Sequence, residues 1–345
     1  MTTELLNVLY VQAQGAFLHL EHETVRVEVE GTTRLRAPLL RLQAIVMFGR
    51  VMISPFLVHQ CARDGRSVVW MTLGGRFAGR IDGPVRGNVL LRRAQHLALS
   101  DPDRTMAVAR PIVAAKIQNA RQVLLRGARD GALEAGASLR DAADRLVDHL
   151  GRVPLVSTLD ELRGVEGIAA RDYFGVFGHL VRPDEPEHLS FDGRTRRPPR
   201  DRVNALLSFV YALVRSECAG ALEGVGLDPQ VGFLHALRPG RPALALDLME
   251  ELRPVIADRL ALTLINRRQV RSEHFQRSAA GGYALTDDGR RIVLTAYQER
   301  KEDLVPHRVL KQRVRLGLVP HVQARLLARA LRRDVPEYVP FTTRT

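Results

Sequence analysis

Cysteine is almost missing from this chain: Cys61 and Cys218 are the only two in 345 residues, far apart and without a Cys-x-x-Cys pair. That argues against a disulfide scaffold and a thiolate zinc site and leaves both as small buried hydrophobes. Long apolar runs are lacking as well, and none approaches the roughly 20 residues that cross a bilayer. Met1-Thr2-Thr3-Glu4 puts no positive charge ahead of an apolar stretch, so no secretory signal is expected and the chain reads as cytoplasmic. There is no Walker phosphate loop, no Gly-x-Gly-x-x-Gly after a strand, no Gly-x-Ser-x-Gly elbow and no His-Glu-x-x-His. The GGRFAGR segment at Gly74–Arg80 reads as a hairpin tip rather than a nucleotide cradle. Lysine, too, is scarce, confined to Lys116, Lys301 and Lys311.

What is present is arginine. The net charge is +13 and the pI about 10.7, which points to a polyanionic partner. A GC-rich genome explains arginine in place of lysine, but not the net charge. Arginine also suits bidentate phosphate contact. The length allows two domains, and an apolar share of 46% allows a sizeable core.

The first ninety or so residues read as β-rich. Val25, Val27 and Val29 alternate with charged residues, the period of a half-buried strand. Residues 5–10, 44–48 and 68–72 are further strands, with a turn at Gly74-Gly75. Ser54-Pro55 opens a short helix reaching Cys61. From about Asp101 the texture is helical. One long segment runs to Arg126, with Pro111 expected to kink or break it; others cover 138–150 and 157–180. Residues 191–200 (FDGRTRRPPR) form a basic loop, and Asp201 caps a helix with an apolar face at Leu206, Leu207, Val210, Leu213 and Val214. A hairpin-like loop is expected at Ser278–Gly282, and Thr286 caps a helix reaching Glu302.

Three places gather acids or imidazole. Glu166 sits between Gly164 and Gly167, read as a helix start where the glycines admit close approach; a glutamate in a first turn also simply complements the helix dipole. His235 ends the apolar stretch VGFLH, where a packed histidine is as ordinary as a ligand. In LALDLMEELRP, Asp247 and Glu250 fall at i and i+3 on one helical face and need a cation against their repulsion. Arg253 as a surface ion pair is one source of it, and Glu251 reads as the solvent-facing member. One histidine and two or three carboxylates suit Mg²⁺ or Mn²⁺ better than zinc. In a basic protein such a cation serves phosphodiester chemistry. The residues alone go no further than a metal-dependent nuclease.

The phrases go further. RGNVLLRRAQ from Arg86, ELRGVEGIAARDYF, RRPPRDRVNALLSFVYALV, VGFLHALRPGRPALALDLMEELRPVIADRLALTLINRR and TAYQERK resemble, in order and over nearly the whole chain, CRISPR-associated protein one, nearest its subtype I-C branch. The resemblance implies an α+β protein: a β-sandwich-like dimerisation domain, 1–95, and an all-helical catalytic domain, 96–345. It implies that Glu166, His235 and Glu250 hold a divalent Mg²⁺ or Mn²⁺, with Asp247 as a second-shell or alternate ligand. Asn204 is read as bracing its helix start, and Tyr173 as a DNA contact or a packed tyrosine. The family works as a homodimer with the small dimeric CRISPR-associated protein two, joining 3′-overhang duplexes to the CRISPR repeat by transesterification. Arg163, Arg194, Arg196, Arg197, Arg267 and Arg268 are the arginines read as DNA-backbone contacts. A non-catalytic basic DNA-binding scaffold and a DNA-repair nuclease are the alternatives.

Overall fold

The structure is a computed structural model that describes residues 7–73, 77–81, 89–130, 133–278 and 281–343. Gly74-Gly75, read as a turn, lies outside them. The protein is a mixed α+β chain: β-sheets first, then a largely helical region. It divides into Met1–Gly87 and Asn88–Thr345, so residues 89–95, grouped with the first domain on sequence, belong to the second unit.

The first unit holds two four-stranded sheets. One has the order β1 (Asn7–Val11), β5 (Leu42–Phe48), β7 (Ser67–Met71), β8 (Phe77–Ile81); the other β4 (Thr32–Pro38), β3 (Thr24–Val29), β2 (Phe17–Glu21), β6 (Met52–Ile53). β1, β5 and β7 run parallel. A tight hairpin cannot join parallel strands, so β2–β4 make one crossover, and β6 with helix α1 (Pro55–Asp64) makes the other. Ser54 caps α1 by accepting from the Leu57 N–H at 3.3 Å, and Gly65 ends it in the left-handed conformation. Leu9, Leu18, Val25, Val27, Ile45, Leu57, Cys61 and Val68 form one core shared by both sheets and α1.

In the second unit α3 (Pro102–Asp130) packs on α4 (Leu133–Arg152), α5 (Leu159–Gly175) and α7 (Ala243–Leu252), having followed α2 (Val89–Leu99). Pro111 does not end α3; helices packed along it hold it through the residue that intrinsic preference would break. α6 (Arg202–Val225) packs on α7 and on α10 (Val319–Leu331). Its expected apolar face at Leu206, Leu207, Val210, Leu213 and Val214 is buried. α6 is apolar enough by composition to cross a bilayer, but 67% of that window is buried inside the protein, which makes it a core helix. α8 (Arg259–Asn266) and α9 (Asp287–Lys301) complete the helices named here, with Thr286 capping α9.

This unit is not all helical. β9 (Phe275–Arg277) pairs with β10 (Tyr283–Leu285) around the expected hairpin, and β11 (Leu304–His307) pairs with β12 (Gln312–Arg315). The second pair was not expected, because β12 reads Gln-Arg-Val-Arg and carries one apolar residue. Between α7 and α8, residues Arg253–Asp258 form a wider π-helical turn. Pro254 has no N–H for the carbonyl of Glu250, and a wider turn relieves the clash its ring would make there.

Glu251, expected to face solvent, is fully buried. It accepts from Tyr338 Oη at 2.8 Å, Gln323 Nε2 at 3.1 Å and the Phe341 N–H at 2.9 Å, pinning the C-terminal segment across α7 and α10. Burial pushes its carboxyl up to about 8, against the pull of those three donors. A raised acid pKa keeps a proton in the folded state that the unfolded chain has shed, so the chain loses stability as pH rises between the ordinary glutamate value and about 8. Chemical denaturation of Glu251→Gln and wild type from pH 5 to pH 8 should show the variant gaining on the wild type as pH rises. The limiting slope is about 1.4 kcal/mol per pH unit; parallel curves would mean that Glu251 is charged throughout.

Candidate functional site

Four segments meet on one side of α3: α3 itself, α5, α7 and the loop that enters α7. α5 begins at a capping box. Thr158 Oγ1 accepts from the Glu161 N–H at 3.2 Å, and Glu161 accepts in return from the Thr158 N–H at 3.0 Å. Glu166 therefore lies in the body of α5 rather than at a helix start. Its flanking Gly164 and Gly167 have open space where a Cβ would be; they admit no neighbouring backbone and leave the approach to Glu166 uncrowded.

The loop into α7 depends on Gly232, where any Cβ would stand 2.6–2.8 Å from Ala243 and the Leu244 nitrogen. That close approach brings three successive loop N–H groups onto one carboxylate. Asp247 accepts from Phe233 at 2.6 Å and Leu234 at 3.0 Å through Oδ2, and from His235 at 3.0 Å through Oδ1. Oδ1 also meets His235 Nδ1 at 2.7 Å. These four partners use the lone pairs a carboxylate offers, and Asp247 is fully buried. Asp247 therefore holds the histidine loop shut, the supporting one of the two roles expected of it. Because Asp247 has only lone pairs to give, Nδ1 must carry the proton. Nε2 is then the free nitrogen, 3.9 Å from Glu250 Oε1.

Glu250 and Arg253, read on sequence as a surface pair, are both buried, with Nη1 donating to Oε1 at 2.7 Å. Lys116, on α3, touches both glutamates: its Nζ lies 2.6 Å from Glu250 Oε2 and contacts Glu166 Oε1. Burial pushes the Glu250 carboxyl up, but the Arg253 guanidinium and the Lys116 ammonium outweigh it and hold it well below the usual carboxylate range. Arg253 also stacks over Tyr211, 4.4 Å from the ring centre. The hydroxyls of Tyr211 and Tyr173 donate to buried Asp258 at 2.5 and 2.9 Å. Tyr173 is thus a packed network residue, with no face left for DNA.

The donor set fits a hard divalent cation. Glu250 Oε2 is buried without a hydrogen bond of good geometry, although the Lys116 nitrogen lies 2.6 Å away. The 3.9 Å between His235 Nε2 and Glu250 Oε1 is too long for a hydrogen bond, yet each atom can reach one ion at about 2 Å. Among the described residues no three histidine, cysteine or acidic side chains form a ready-made metal cage. At this site the Lys116 ammonium stands between the two glutamates.

Sequence reasoning missed Lys116 altogether. Its signal was its rarity, a lysine in a chain that elsewhere uses arginine. The arginines sort into two groups. Arg163 donates to the Leu234 carbonyl and to Asp160, both at 2.8 Å, so it ties α5 to the histidine loop. Arg194 is held by Asn204 Oδ1 at 2.6 Å and Ser208 Oγ at 3.0 Å. Asn204 braces the helix start as expected, also accepting from the Thr195 N–H at 3.0 Å and donating to the Gly193 carbonyl at 2.9 Å. Arg196, Arg197, Arg267 and Arg268 are exposed, with Arg268 only 3.7 Å from Asp184.

An arginine-rich α+β chain whose helical unit encloses two glutamates, a histidine with a free nitrogen and their counter-charges belongs with proteins that act on polyanions. The model of the family described as CRISPR associated protein Cas1 matches residues 9–299. A CRISPR-associated endonuclease Cas1 of Moorella thermoacetica is 51% identical over 341 residues, covering 99% of both chains. The chain belongs to the CRISPR-associated protein Cas1 family. By fold it is similar to a chain of a Cas6-RT-Cas1–Cas2 complex (TM-score 0.83, 23% identity, 99% of this chain and 36% of that one). It is also similar to a casposase bound to its integration product (TM-score 0.82, 21% identity, 97% and 93%).

The role of Asp247 is tested by Asp247→Ala, which orphans three backbone donors and the imidazole. Chemical denaturation should show a loss of about 3 kcal/mol or more, with Asp247→Asn losing less. Weakened metal binding at unchanged stability would return Asp247 to the ligand set.

Proposed function

We propose that this chain is a divalent-metal-dependent DNA integrase and endonuclease of CRISPR adaptation, with Glu166, His235 and Glu250 as its metal ligands. The observation that supports this reading is that Lys116 Nζ contacts both Glu166 and Glu250 while His235 Nε2 lies 3.9 Å from Glu250 Oε1, although the three residues are distant in sequence. The match to an endonuclease of the family over 99% of both chains supports it. Within the family we assign it to the subtype I-C branch that its sequence phrases resemble.

The reaction is transesterification. The 3′-hydroxyl oxygen of a spacer end attacks a phosphodiester at the repeat boundary. A new O–P bond forms, the old bond to the repeat strand's 3′-oxygen breaks, and the attacking hydroxyl's proton leaves as the departing oxygen gains one. Glu166, His235 and Glu250 would hold Mg²⁺ or Mn²⁺, and the chemistry such an ion would supply there is Lewis acidity. The chain's own residues supply position. Asp247 fixes the ring of His235 with Nε2 free, Arg253 keeps Glu250 ionised, and Arg163 holds the histidine loop against α5. Arg196, Arg197, Arg267 and Arg268 hold the DNA backbone; the tethered Arg163 and Arg194 are assigned to support instead.

For partners we take DNA, a second copy of this chain and the small CRISPR-associated protein two. The fold likeness to a chain of a Cas6-RT-Cas1–Cas2 complex and to a casposase bound to its integration product supports the DNA and small-partner parts of this assembly. Leu35, Leu40, Met52 and Phe56, exposed on the first unit, offer apolar surface for the homodimer.

The direct test is joining of a short 3′-overhang duplex to a supercoiled repeat plasmid, with the small partner present. Joining should need Mg²⁺ or Mn²⁺, stop with EDTA and fall at least a hundredfold in Glu250→Ala. DNA bound but never joined under either metal would favour the non-catalytic scaffold. Replacing Arg196 and Arg197 together should weaken DNA binding and flatten its salt dependence, by about 0.9 in slope for each phosphate that is no longer neutralised. An unchanged slope would place the DNA backbone against other arginines.

A further inference from the structure

Among the described residues, Lys116 is the close partner that the two glutamates share. It lies on α3, which packs on both α5 and α7, so the backbone fixes where its stem begins. The side chain is only 12% exposed, and its Nζ meets Glu166 Oε1 and Glu250 Oε2 together. Both carboxylates belong to the ligand set of the reading above. Glu166 and Glu250 are matched charge for charge by Lys116 and Arg253. A divalent ion added with both bases in place would leave the buried cluster positively charged, and its nearest like charge would be the ammonium. Arg253 cannot give way, because it is buried between the Glu250 carboxylate and the face of Tyr211. Lys116 can: its stem is flexible, and its ammonium is a compact point charge with no stacking partner to lose.

We propose that Lys116 is the site's resident counter-cation, a positioning residue whose ammonium holds Glu166 and Glu250 together without metal and must be displaced when metal binds. This rests on the metal-site reading above and adds the group with which the metal competes. Metal loading is then an exchange of one cation for another, and the affinity of the free protein is lower than its ligands alone would set. An arginine in this position would be a poorer placeholder for a small ion, since its planar fork spreads the charge.

Mn²⁺ binding to the full-length protein, followed by calorimetry and by the electron paramagnetic resonance of free Mn²⁺, tests this without any turnover. Wild type should bind Mn²⁺, and Glu250→Ala should not. Lys116→Met should bind at least tenfold more tightly than wild type, and Lys116→Arg, which keeps the charge, within about threefold of it. Thermal denaturation gives a second readout. In EDTA, Lys116→Met should melt below wild type, because the half-buried Glu166 loses its ion pair and the buried Glu250 keeps only Arg253, and saturating Mn²⁺ should raise its melting temperature by more than it raises that of wild type. If Lys116→Met does not fold, Lys116→Gln carries the same comparison. Wild-type affinity in the uncharged variants, or an equal shift in Lys116→Arg, overturns the exchange and leaves the metal site standing. Failure of wild type to bind Mn²⁺, or undiminished binding by Glu250→Ala, overturns the metal site itself and the exchange with it.

Discussion

A carboxylate sealed inside protein stays ionised only if cations or convergent donors are sealed in with it, and Glu250, which relies on cations, sets that condition for the helical unit. Removing such a charge from water costs several kcal/mol unless it is repaid by close, well-placed partners. Its partners come from two places. Lys116 reaches it from α3, and Arg253 reaches it from the turn that ends α7. Because Lys116 also holds Glu166 on α5, one buried charge ties three helices. Arg253, once committed to Glu250, covers the face of Tyr211, whose hydroxyl meets Asp258 in company with Tyr173 of α5. The polar interior is therefore one chain of obligations rather than a set of separate pairs.

α7 distributes these obligations by helical geometry. Successive residues on an α-helix point about 100° apart, whereas residues three or four apart share a face. Asp247 and Glu250 thus look the same way, one toward the histidine loop and the other toward the cation position. Glu251, the next residue, turns away to bind Tyr338, Gln323 and Phe341. Neighbouring acids do unlike work: Glu250 is held ionised by bases, while Glu251 has only neutral donors and is pushed up by burial. Pro254 then forbids the next regular helical bond, and the wide turn that results carries Asp258 to the two tyrosines.

What the sequence disclosed and what it hid follow from the range of the forces involved. Local signals were legible: Ser54 and Thr286 as caps, Val25 and Val27 as the buried face of a strand, the apolar face of α6. Such features are decided within a few residues. Pro111 misled, because packing along α3 outweighs a local preference. Glu251 misled because a helix buried on several sides has no solvent face to give, and periodicity alone cannot say so. The phrases around Glu166, His235 and Glu250 named the three residues that the fold brings together. They could not show that Asp247 is saturated by backbone donors or that Lys116 closes the gap, since both facts are made by elements far apart in the chain.

A basic protein with an acidic centre poses an electrostatic puzzle that the arrangement resolves. The surplus of positive charge favours a polyanionic partner over long range, yet under the proposed function bare carboxylates at the centre would repel a phosphate brought close to them. Here each glutamate at the centre is matched by a cation before any partner arrives, and Asp247 is matched by backbone dipoles and an imidazole. The centre therefore does not oppose the field of the chain's surplus positive charge. The constraint also explains the choice of bases. Where a charge must stay, the chain uses arginine held by stacking and a carboxylate, as at Arg253; where a small cation sits between two carboxylates, it uses one of its rare lysines.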